Sequence, residues 1–151
     1  MKLIAGIDPG KTGAIAIIAE KMEILNVHDW ESPRAASDFL DIWKRGDISF
    51  AILEKVHSFP GQGVKSVWSF AENFGVWEGI LSAMEIPFQL IPPRQWMKGQ
   101  ITPSDHIKVK KRGLTVCRRL YPKSNWFRLE RHDGRADAVL MARYAILGGL
   151  I

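Results

Sequence analysis

Two apolar runs separated by a turn open the chain, and this pattern constrains the fold more than any other feature. Residues 3–7 are Leu-Ile-Ala-Gly-Ile, and they stop at Asp8-Pro9-Gly10, a sequence typical of turns. Residues 12–19 follow with small and β-branched side chains, which favour a strand. The opening segment therefore predicts a β-hairpin whose first strand ends in an acidic residue.

Further strands and helices follow in an order that indicates an α/β fold. Strands are predicted over 22–28, 48–53 and 86–91, and helices over 37–44, 64–84, 104–120 and 133–147. We take Ser104 as the N-cap of the third of these helices. The order describes a mixed five-stranded sheet flanked by helices. Because no repeat or linker interrupts it, we expect residues 1–151 to form one domain.

The predicted helix over 64–84 carries two apolar stripes, whereas packing onto a core requires one. A second stripe indicates either a deeply buried helix or a contact with another chain. We favour the second interpretation and expect a homodimer. The first stripe contains Val64, Val67, Trp68, Ala71, Phe74 and Gly75, and the second contains Phe70, Trp77, Leu81 and Met84.

Positive charge is concentrated in the C-terminal part of the chain. Residues 1–91 hold eight Lys and Arg against twelve Asp and Glu, whereas residues 92–151 hold thirteen against four. Such a segment favours a polyanionic partner, above all nucleic acid, although a solvated cationic surface has the same composition. Charge by itself does not separate the two.

Cysteine content and hydropathy bear on the compartment. The one cysteine, Cys117, excludes an internal disulfide and is typical of a reducing environment. Its apolar neighbours indicate a core residue rather than a nucleophile. No apolar run reaches the ~20 residues that a membrane helix needs, and the N-terminus lacks a signal-peptide pattern. We therefore expect a cytoplasmic protein without a membrane partner.

Four acidic residues occupy positions where charge is costly. Asp8 and Glu54 end apolar strands, while Asp133 and Asp137 begin an almost wholly apolar helix. Residues four apart share one helix face, so the last two can point to one place. Carboxylates at the margin of a core need a partner such as a cation. Hard oxygen ligands suit Mg²⁺, with Mn²⁺ as the natural substitute.

Each of these acids also has a purely structural interpretation when it is taken alone. Asp8 fits a turn, Glu54 fits a solvated strand end, and Asp133 fits an N-cap or first-turn acid. Asp137 lies one turn inside an apolar helix and is harder to explain in this way. The four together favour a shared site.

A pair of metal ions about 4 Å apart would explain why several carboxylates are present. Such a site hydrolyses phosphodiesters with a metal-activated water. A nearby lysine would stabilise the charge that develops on the phosphate. Lys98 and Lys108 are the candidates, although contact with DNA phosphates is the alternative role for either.

Several segments, in their order and spacing, resemble the RuvC-type Holliday-junction resolvases of the ribonuclease H-like superfamily, especially the small form found in phages. Residues 6–13 (GIDPGKTG) resemble the opening hairpin of that family, and residues 51–56 (AILEKV) resemble its second acidic strand. Residues 132–140 (HDGRADAVL) resemble its acidic C-terminal helix. Residues 94–98 (RQWMK) and the later lysine-rich helix fall where the family carries basic residues.

The resemblance implies a homodimeric, Mg²⁺-dependent endonuclease of a bacterial or phage-infected cell, with no small-molecule cofactor. It would cut four-way branched DNA by paired symmetric nicks. Asp8, Glu54 and Asp137 match the family's acids. The usual place of the fourth acid holds Gly134, so we assign that role to Asp133, with His132 as the alternative.

The same resemblance implies the residues that contact DNA. A wedge residue of the family would fall at His57, with Phe59 close by. The other implied DNA-binding residues are basic. They are Arg94, Lys98, Lys108, Lys110, Lys111 and Arg112.

Three other functions compete with this interpretation. A ribonuclease H-like nuclease that trims precursor ribosomal RNA would share the hairpin that contains Asp8. An ATPase half of the actin or sugar-kinase type would share the Asp-Gly turn, but it needs two such domains. A nucleic-acid-binding module without catalysis would not need four acids.

Overall fold

The computed structural model describes residues 1–43, 47–55 and 60–151. Its strands form one sheet in the order β3-β2-β1-β4-β5. The strands are β1 (Leu3–Asp8), β2 (Ala14–Ala19), β3 (Ile24–Asp29), β4 (Ile48–Glu54) and β5 (Phe88–Ile91). The helices are α1 (Pro33–Asp41), α2 (Val64–Ala83), α3 (Pro93–Met97), α4 (Val109–Leu120) and α5 (Asp133–Leu147), with a 3₁₀ turn at Pro103–Asp105.

The sheet is mixed, as the sequence predicted. β1 pairs with β2 and β2 with β3 in antiparallel fashion, whereas β1 pairs with β4 and β4 with β5 in parallel. β1 therefore lies at the centre, with the hairpin on one side and the parallel strands on the other. The predicted α/β fold with a five-stranded sheet between helices is confirmed.

The two faces of the sheet are covered by different helices. Alternate residues of β1 and β4 face α4 and α5, among them Ile4 and Ile52. The intervening residues, such as Ile7 and Leu53, face α1 and α2. Because successive strand residues point to opposite faces, a strand covered on both sides must be apolar at nearly every position. This explains the unbroken apolar runs of the hairpin.

Two glycines let α5 lie directly on the opening hairpin. A side chain at Gly6 in β1 would overlap the backbone of Ala138 in α5. A side chain at Gly134, in the first turn of α5, would overlap the backbone of Thr12 and Gly13. Close approach without a Cβ is a typical use of glycine. The start of α5 is thereby held beside the turn that follows Asp8.

The cationic helix begins later than the sequence predicted. Instead of one helix over 104–120, a 3₁₀ turn at Pro103–Asp105 is followed by α4 from Val109. The Asp105 carboxylate accepts from the Thr102 amide at 2.7 Å, so Thr102 caps the 3₁₀ turn, and the N-cap of α4 is Lys108 and not Ser104. The backbone of His106 is extended and interrupts the helical path. Helix α1 also begins early, at Pro33, with the Ser32 hydroxyl as its cap.

Helix α2 uses one of its two apolar stripes inside the molecule. Trp77 and Leu81, which belong to the second predicted stripe, are buried against the sheet, and Trp77 lies 5.6 Å from Trp30 between ring centroids. On the first stripe, Val64 and Trp68 are 87% and 73% exposed. The structure thus assigns Trp77 to the core, and a contact with another chain would have to use the stripe of Trp68.

Two further observations concern the expected compartment. No helix in residues 1–43, 47–55 and 60–151 combines the length and apolarity needed to cross a membrane. Cys117 is buried in α4 and belongs to the core on the α5 face, as the sequence indicated.

Candidate active site

Asp8 and Glu54 end neighbouring strands on the same face of the sheet. β1 and β4 run parallel with Ile7 beside Leu53, so the next residue of each strand lies side by side. Parallel strands are about 4.8 Å apart, which brings the two carboxylates to one edge. The Asp8 Oδ1 atom accepts a hydrogen bond of 2.9 Å from the Gly10 amide, so the turn itself fixes this side chain.

Helix α5 brings two more carboxylates to this edge. Asp133 is its first residue, and Asp137 follows one turn later. Helix α5 contacts the hairpin at Gly134 and Ala138, which lie on either side of Asp137 in the chain. The hairpin contacts α5 at Gly6 and Gly13, which lie on either side of Asp8. The structure therefore brings three distant chain segments together at this edge, and a shared site for the four acids stays a prediction.

The charges of these acids act on one another. Burial raises the pKa of Glu54 to about 7, and the neighbouring charge of Asp8 adds to this while the bond from Trp96 opposes it. Burial also raises the pKa of Asp137 well above its ordinary value, and the charges of Asp8, Glu54 and Asp133 add to the effect. Burial and the like charge of a neighbouring carboxylate both disfavour ionisation, so a compensating cation would stabilise the charged form of these acids.

Asp8 is affected in the same direction. Its burial raises its pKa, the hydrogen bond from the Gly10 amide lowers it, and the charge of Asp133 raises it further. The charge of Lys110 opposes the rise at both Asp8 and Asp137. Lys110 is therefore the lysine whose charge reaches the centre of the acidic cluster.

Asp133 differs from the other three because it has cationic partners. Lys111 Nζ lies 3.0 Å from its Oδ1 atom, and Lys110 Nζ lies 3.6 Å from its Oδ2 atom. Burial is the largest single effect and acts to raise the pKa of Asp133, but the hydrogen bond from Lys111, a backbone hydrogen bond and the charges of Lys111 and Lys110 together lower the pKa below its ordinary value. Lys111 also donates to the Glu130 carbonyl. The start of α4 is thus tied to the start of α5.

Gly113 places helix α4 directly over Asp137. A side chain at this glycine would overlap the Asp137 Oδ1 atom and contact Leu140. Glycine inside a helix costs about 1 kcal/mol relative to alanine, so its presence in α4 calls for a packing reason. The close approach to Asp137 is that reason. A glycine in the interior of a predicted helix was the only sequence signal for this contact.

The donor set fits a divalent cation, although the carboxylates are turned towards protein partners. Among the described residues, no three acidic, histidine or cysteine side chains are grouped closely enough to hold one ion. Asp133 is drawn to Lys110 and Lys111, and Glu54 to Trp96. Three of these carboxylates have a raised pKa and the fourth is paired with lysines. Carboxylate oxygens are nevertheless the ligands that Mg²⁺ or Mn²⁺ prefers.

The predicted basic residues separate into two groups. Lys110 and Lys111 lie beside the acids, and Lys108 is exposed at the N-cap of α4. Lys98 instead lines a surface cavity with Tyr144 and Leu147, near the end of α5. Its role beside the acids stays a prediction, and Lys110 is the lysine whose charge acts on both Asp8 and Asp137.

Two more predicted basic residues lie further from the cluster. Arg112 donates from Nε to the His106 carbonyl at 2.9 Å, which ties α4 to the segment before it. Arg94 is exposed in α3. Both remain predicted DNA contacts. The predicted wedge residues, His57 and Phe59, lie outside the described residues.

His132 has a structural partner of its own. Its Nδ1 atom accepts a hydrogen bond of 3.2 Å from the Leu129 amide. Burial lowers its pKa, and the nearby charges belong to Arg135 and Asp29 rather than to the acidic cluster. Of the two candidates for the fourth position, Asp133 is the one whose charge acts on Asp8 and Asp137.

One residue of the site was missed from the sequence. Trp96, in the short helix α3, is fully buried and donates from Nε1 to the Glu54 Oε2 atom at 2.7 Å. The residues that separate Trp96 from Glu54 in the chain gave no sign of this contact. No helix was predicted from the sequence between the strand over 86–91 and the helix over 104–120, so the short helix that carries Trp96 was missed as well.

Comparison with known proteins bears on the fold. No family model matches the sequence, and no curated protein matches it either. Among solved structures, RuvC from Thermus thermophilus in complex with a Holliday junction substrate superposes with a TM-score of 0.70, at 15% identity, covering 99% of this chain and 96% of that one. A second structure of Thermus thermophilus RuvC gives a TM-score of 0.63 at 18% identity, covering 97% and 96%. The chain therefore has the RuvC-type, ribonuclease H-like fold.

Proposed function

We propose that this protein is a Mg²⁺-dependent, structure-selective endonuclease that resolves four-way DNA junctions by paired symmetric nicks. The observation that carries the proposal is the convergence of Asp8, Glu54, Asp133 and Asp137 at one edge of the sheet. Four carboxylates from three elements, three of which have pKa values raised by burial and by at least one neighbouring acid, have a high cost in a metal-free protein. A site that binds a divalent cation removes that cost.

The surroundings of the acids support a nucleic-acid substrate. Lys108, Lys110 and Lys111 lie on the first turn of α4 or just before it, next to Asp133. Cations beside a metal-binding cluster favour an anionic substrate whose phosphate lies over the acids. A protein of the same fold, RuvC from Thermus thermophilus, was solved in complex with a Holliday junction substrate. This supports branched rather than linear DNA as the proposed substrate of the present chain.

Each residue of the cluster has a role in this proposal. Asp8, Glu54, Asp133 and Asp137 would hold the metal, which when bound supplies Lewis acidity towards the phosphate and activates water. Lys110 is 71% exposed on its side chain, so it is free to turn from Asp133 towards a phosphate. Its charge would stabilise the negative charge that develops on the phosphate in the transition state.

Paired nicks require two sites, and we propose that the active form is a homodimer. The exposed stripe of α2, which includes Val64 and Trp68, supports this. Large apolar side chains exposed side by side on one helix are typical of a contact surface. The dimer would place one acidic cluster on each of two opposite strands of the junction. Action in the cytoplasm of a bacterial or phage-infected cell stays a prediction.

The test is a cleavage assay on a synthetic four-way junction, a linear duplex of the same sequence and a structured RNA. We expect symmetric nicks in the junction with Mg²⁺ or Mn²⁺ and none with EDTA. Preferential cleavage of RNA would instead indicate a ribonuclease H-like nuclease that processes RNA. Junction binding without cleavage under every metal tested would indicate a binding module and contradict the proposal.

A further inference from the structure

The Trp96 indole forms a hydrogen bond that stands out in the acidic cluster. Its Nε1 atom donates to the Glu54 Oε2 atom at 2.7 Å, at the short end of the range for a nitrogen donor. Trp96 is fully buried, so neither the indole nor this carboxylate oxygen can exchange its partner for bulk water without loss. A bond to a charged acceptor in such a place is a strong one.

The other end of Trp96 is also fixed. The Gln100 side-chain amide donates to the Trp96 carbonyl at 2.8 Å and to the Leu140 carbonyl of α5 at 2.9 Å. Helix α3 is thereby attached to α5, the helix that carries Asp137. A continuous set of contacts leads from α5 through Gln100 and Trp96 to Glu54.

Trp77 provides an internal comparison. It is 1% exposed and packs on the opposite face of the sheet. Its Nε1 atom has no hydrogen-bond partner among the residues that the structure describes. The protein therefore contains two buried tryptophans of similar packing, of which Trp96 alone reaches a carboxylate of the cluster.

We propose that Trp96 is a positioning residue that fixes one oxygen of Glu54 in advance and leaves the other oxygen available to a divalent cation at the acidic cluster. This inference rests on the proposed function, because it concerns the metal of that site. The carboxylate of a glutamate can rotate about three side-chain bonds. Fixing it in advance removes the entropy that binding would otherwise cost.

The expected size of the effect follows from known metal sites. Outer partners that hold a ligand in place typically contribute about 10–100-fold to metal affinity or activity. Trp96→Phe keeps most of the packing and removes the indole N–H. We expect it to weaken Mn²⁺ binding by about tenfold at pH 7.5, without a comparable loss of junction affinity.

The experiment measures Mn²⁺ binding by calorimetry for the full-length wild-type protein, Trp96→Phe and the matched control Trp77→Phe. The control removes the same atoms from an equally buried tryptophan, and we expect its Mn²⁺ affinity to stay within about threefold of wild type. Equal affinities for all three proteins, or an equal loss in both variants, would overturn the proposal. Thermal unfolding of each variant shows how much folded protein contributes to the titration.

A double-mutant cycle with Glu54→Gln then tests whether Trp96 acts through Glu54. We expect Trp96→Phe to have little further effect on Mn²⁺ affinity once Glu54 is an amide. A full additional loss would mean that Trp96 acts elsewhere. Because the probe is Mn²⁺ alone, these results do not depend on the substrate. If the wild type binds Mn²⁺ but leaves junctions intact, the proposed function fails while the role of Trp96 stands.

Discussion

Gly6 in β1 and Ala138 in α5 are in direct backbone contact, so close that a methyl group at Gly6 would overlap the Ala138 carbonyl oxygen. Asp8 follows Gly6 by two residues on the same face of the strand, and Asp137 precedes Ala138 in the helix. The distance between two carboxylates that belong to opposite ends of the chain is thus set by a contact between backbones.

This contact predicts the effect of adding a single methyl group. We expect Gly6→Ala to lower the free energy of unfolding by about 1–3 kcal/mol and to impair cleavage, because α5 must move away from β1. Urea denaturation and a junction-cleavage assay measure the two effects. Gly79→Ala is the control, since Gly79 lies in α2 with open space around it and should be unchanged or more stable. Wild-type stability of Gly6→Ala would contradict the packing described.

Removal of the Asp8 charge separates catalysis from binding. We expect Asp8→Asn to abolish cleavage and to preserve or tighten junction binding, since a carboxylate that repels phosphate is replaced by a neutral group of the same shape. Cleavage is followed on gels with Mg²⁺, and binding by fluorescence anisotropy with Ca²⁺. A variant that cuts at the wild-type rate would show that Asp8 is not a metal ligand.

The lysines of α4 should determine the salt dependence of DNA binding. We expect replacement of Lys108, Lys110 and Lys111 by alanine to weaken junction binding and to reduce the slope of log K against log salt by about 0.9 per lost phosphate contact. Lys2→Ala/Lys21→Ala is the control, because these lysines lie at the other end of β1 and β2 from Asp8. An unchanged slope for the α4 variant would place the DNA on another surface.

The raised pKa values predict how the metal-free protein responds to pH. Glu54 binds a proton more tightly in the folded than in the unfolded chain, with a pKa of about 7 against an ordinary 4.5. Its contribution to stability is therefore fully present below pH 4.5 and is lost as the pH rises to about 7. Asp8 and Asp137 act in the same direction, whereas His132, with a lowered pKa, acts in the opposite one.

The contribution of Glu54 is isolated by comparison with Glu54→Gln. We expect the Tm of the wild type in EDTA, measured relative to this variant, to fall between pH 4.5 and 7. Addition of Mg²⁺ at pH 7.5 should recover the difference, because the cation compensates the charges. A wild-type Tm that rises relative to the variant across this window would contradict the described burial of Glu54.

The two stripes of α2 predict opposite outcomes for two tryptophans. We expect Trp68→Glu to give a folded monomer, with a change in unfolding free energy of about 0.5 kcal/mol or less, because Trp68 is 73% exposed. Trp77→Glu should instead unfold the protein, since it places a charge in the core. Sedimentation and circular dichroism distinguish the two. A dimer of unchanged affinity in Trp68→Glu would exclude this stripe as the contact surface.

Much of the sheet and part of the site were determined by local sequence patterns. The apolar runs of β1 and β2 and residues 51–53 of β4 identify strands because they are buried on both faces and must be apolar. Asp8 and Glu54 stood out for the same reason, as the first charged residues after such runs. The acids of α5 stood out because a helix buried all round has few places for a carboxylate.

Only the tertiary structure decided which partners these residues have. Trp96 and Glu54 are 42 residues apart, and their hydrogen bond depends on how α3 packs against α5, which no local pattern contains. The preference of Asp133 for Lys111, the effect of the Lys110 charge on Asp8 and Asp137, and the burial of Trp77 depend likewise on how the helices lie on the sheet. The periodicity of the sequence determines which face of a helix or strand is apolar. The packing of distant segments determines which residues lie next to that face.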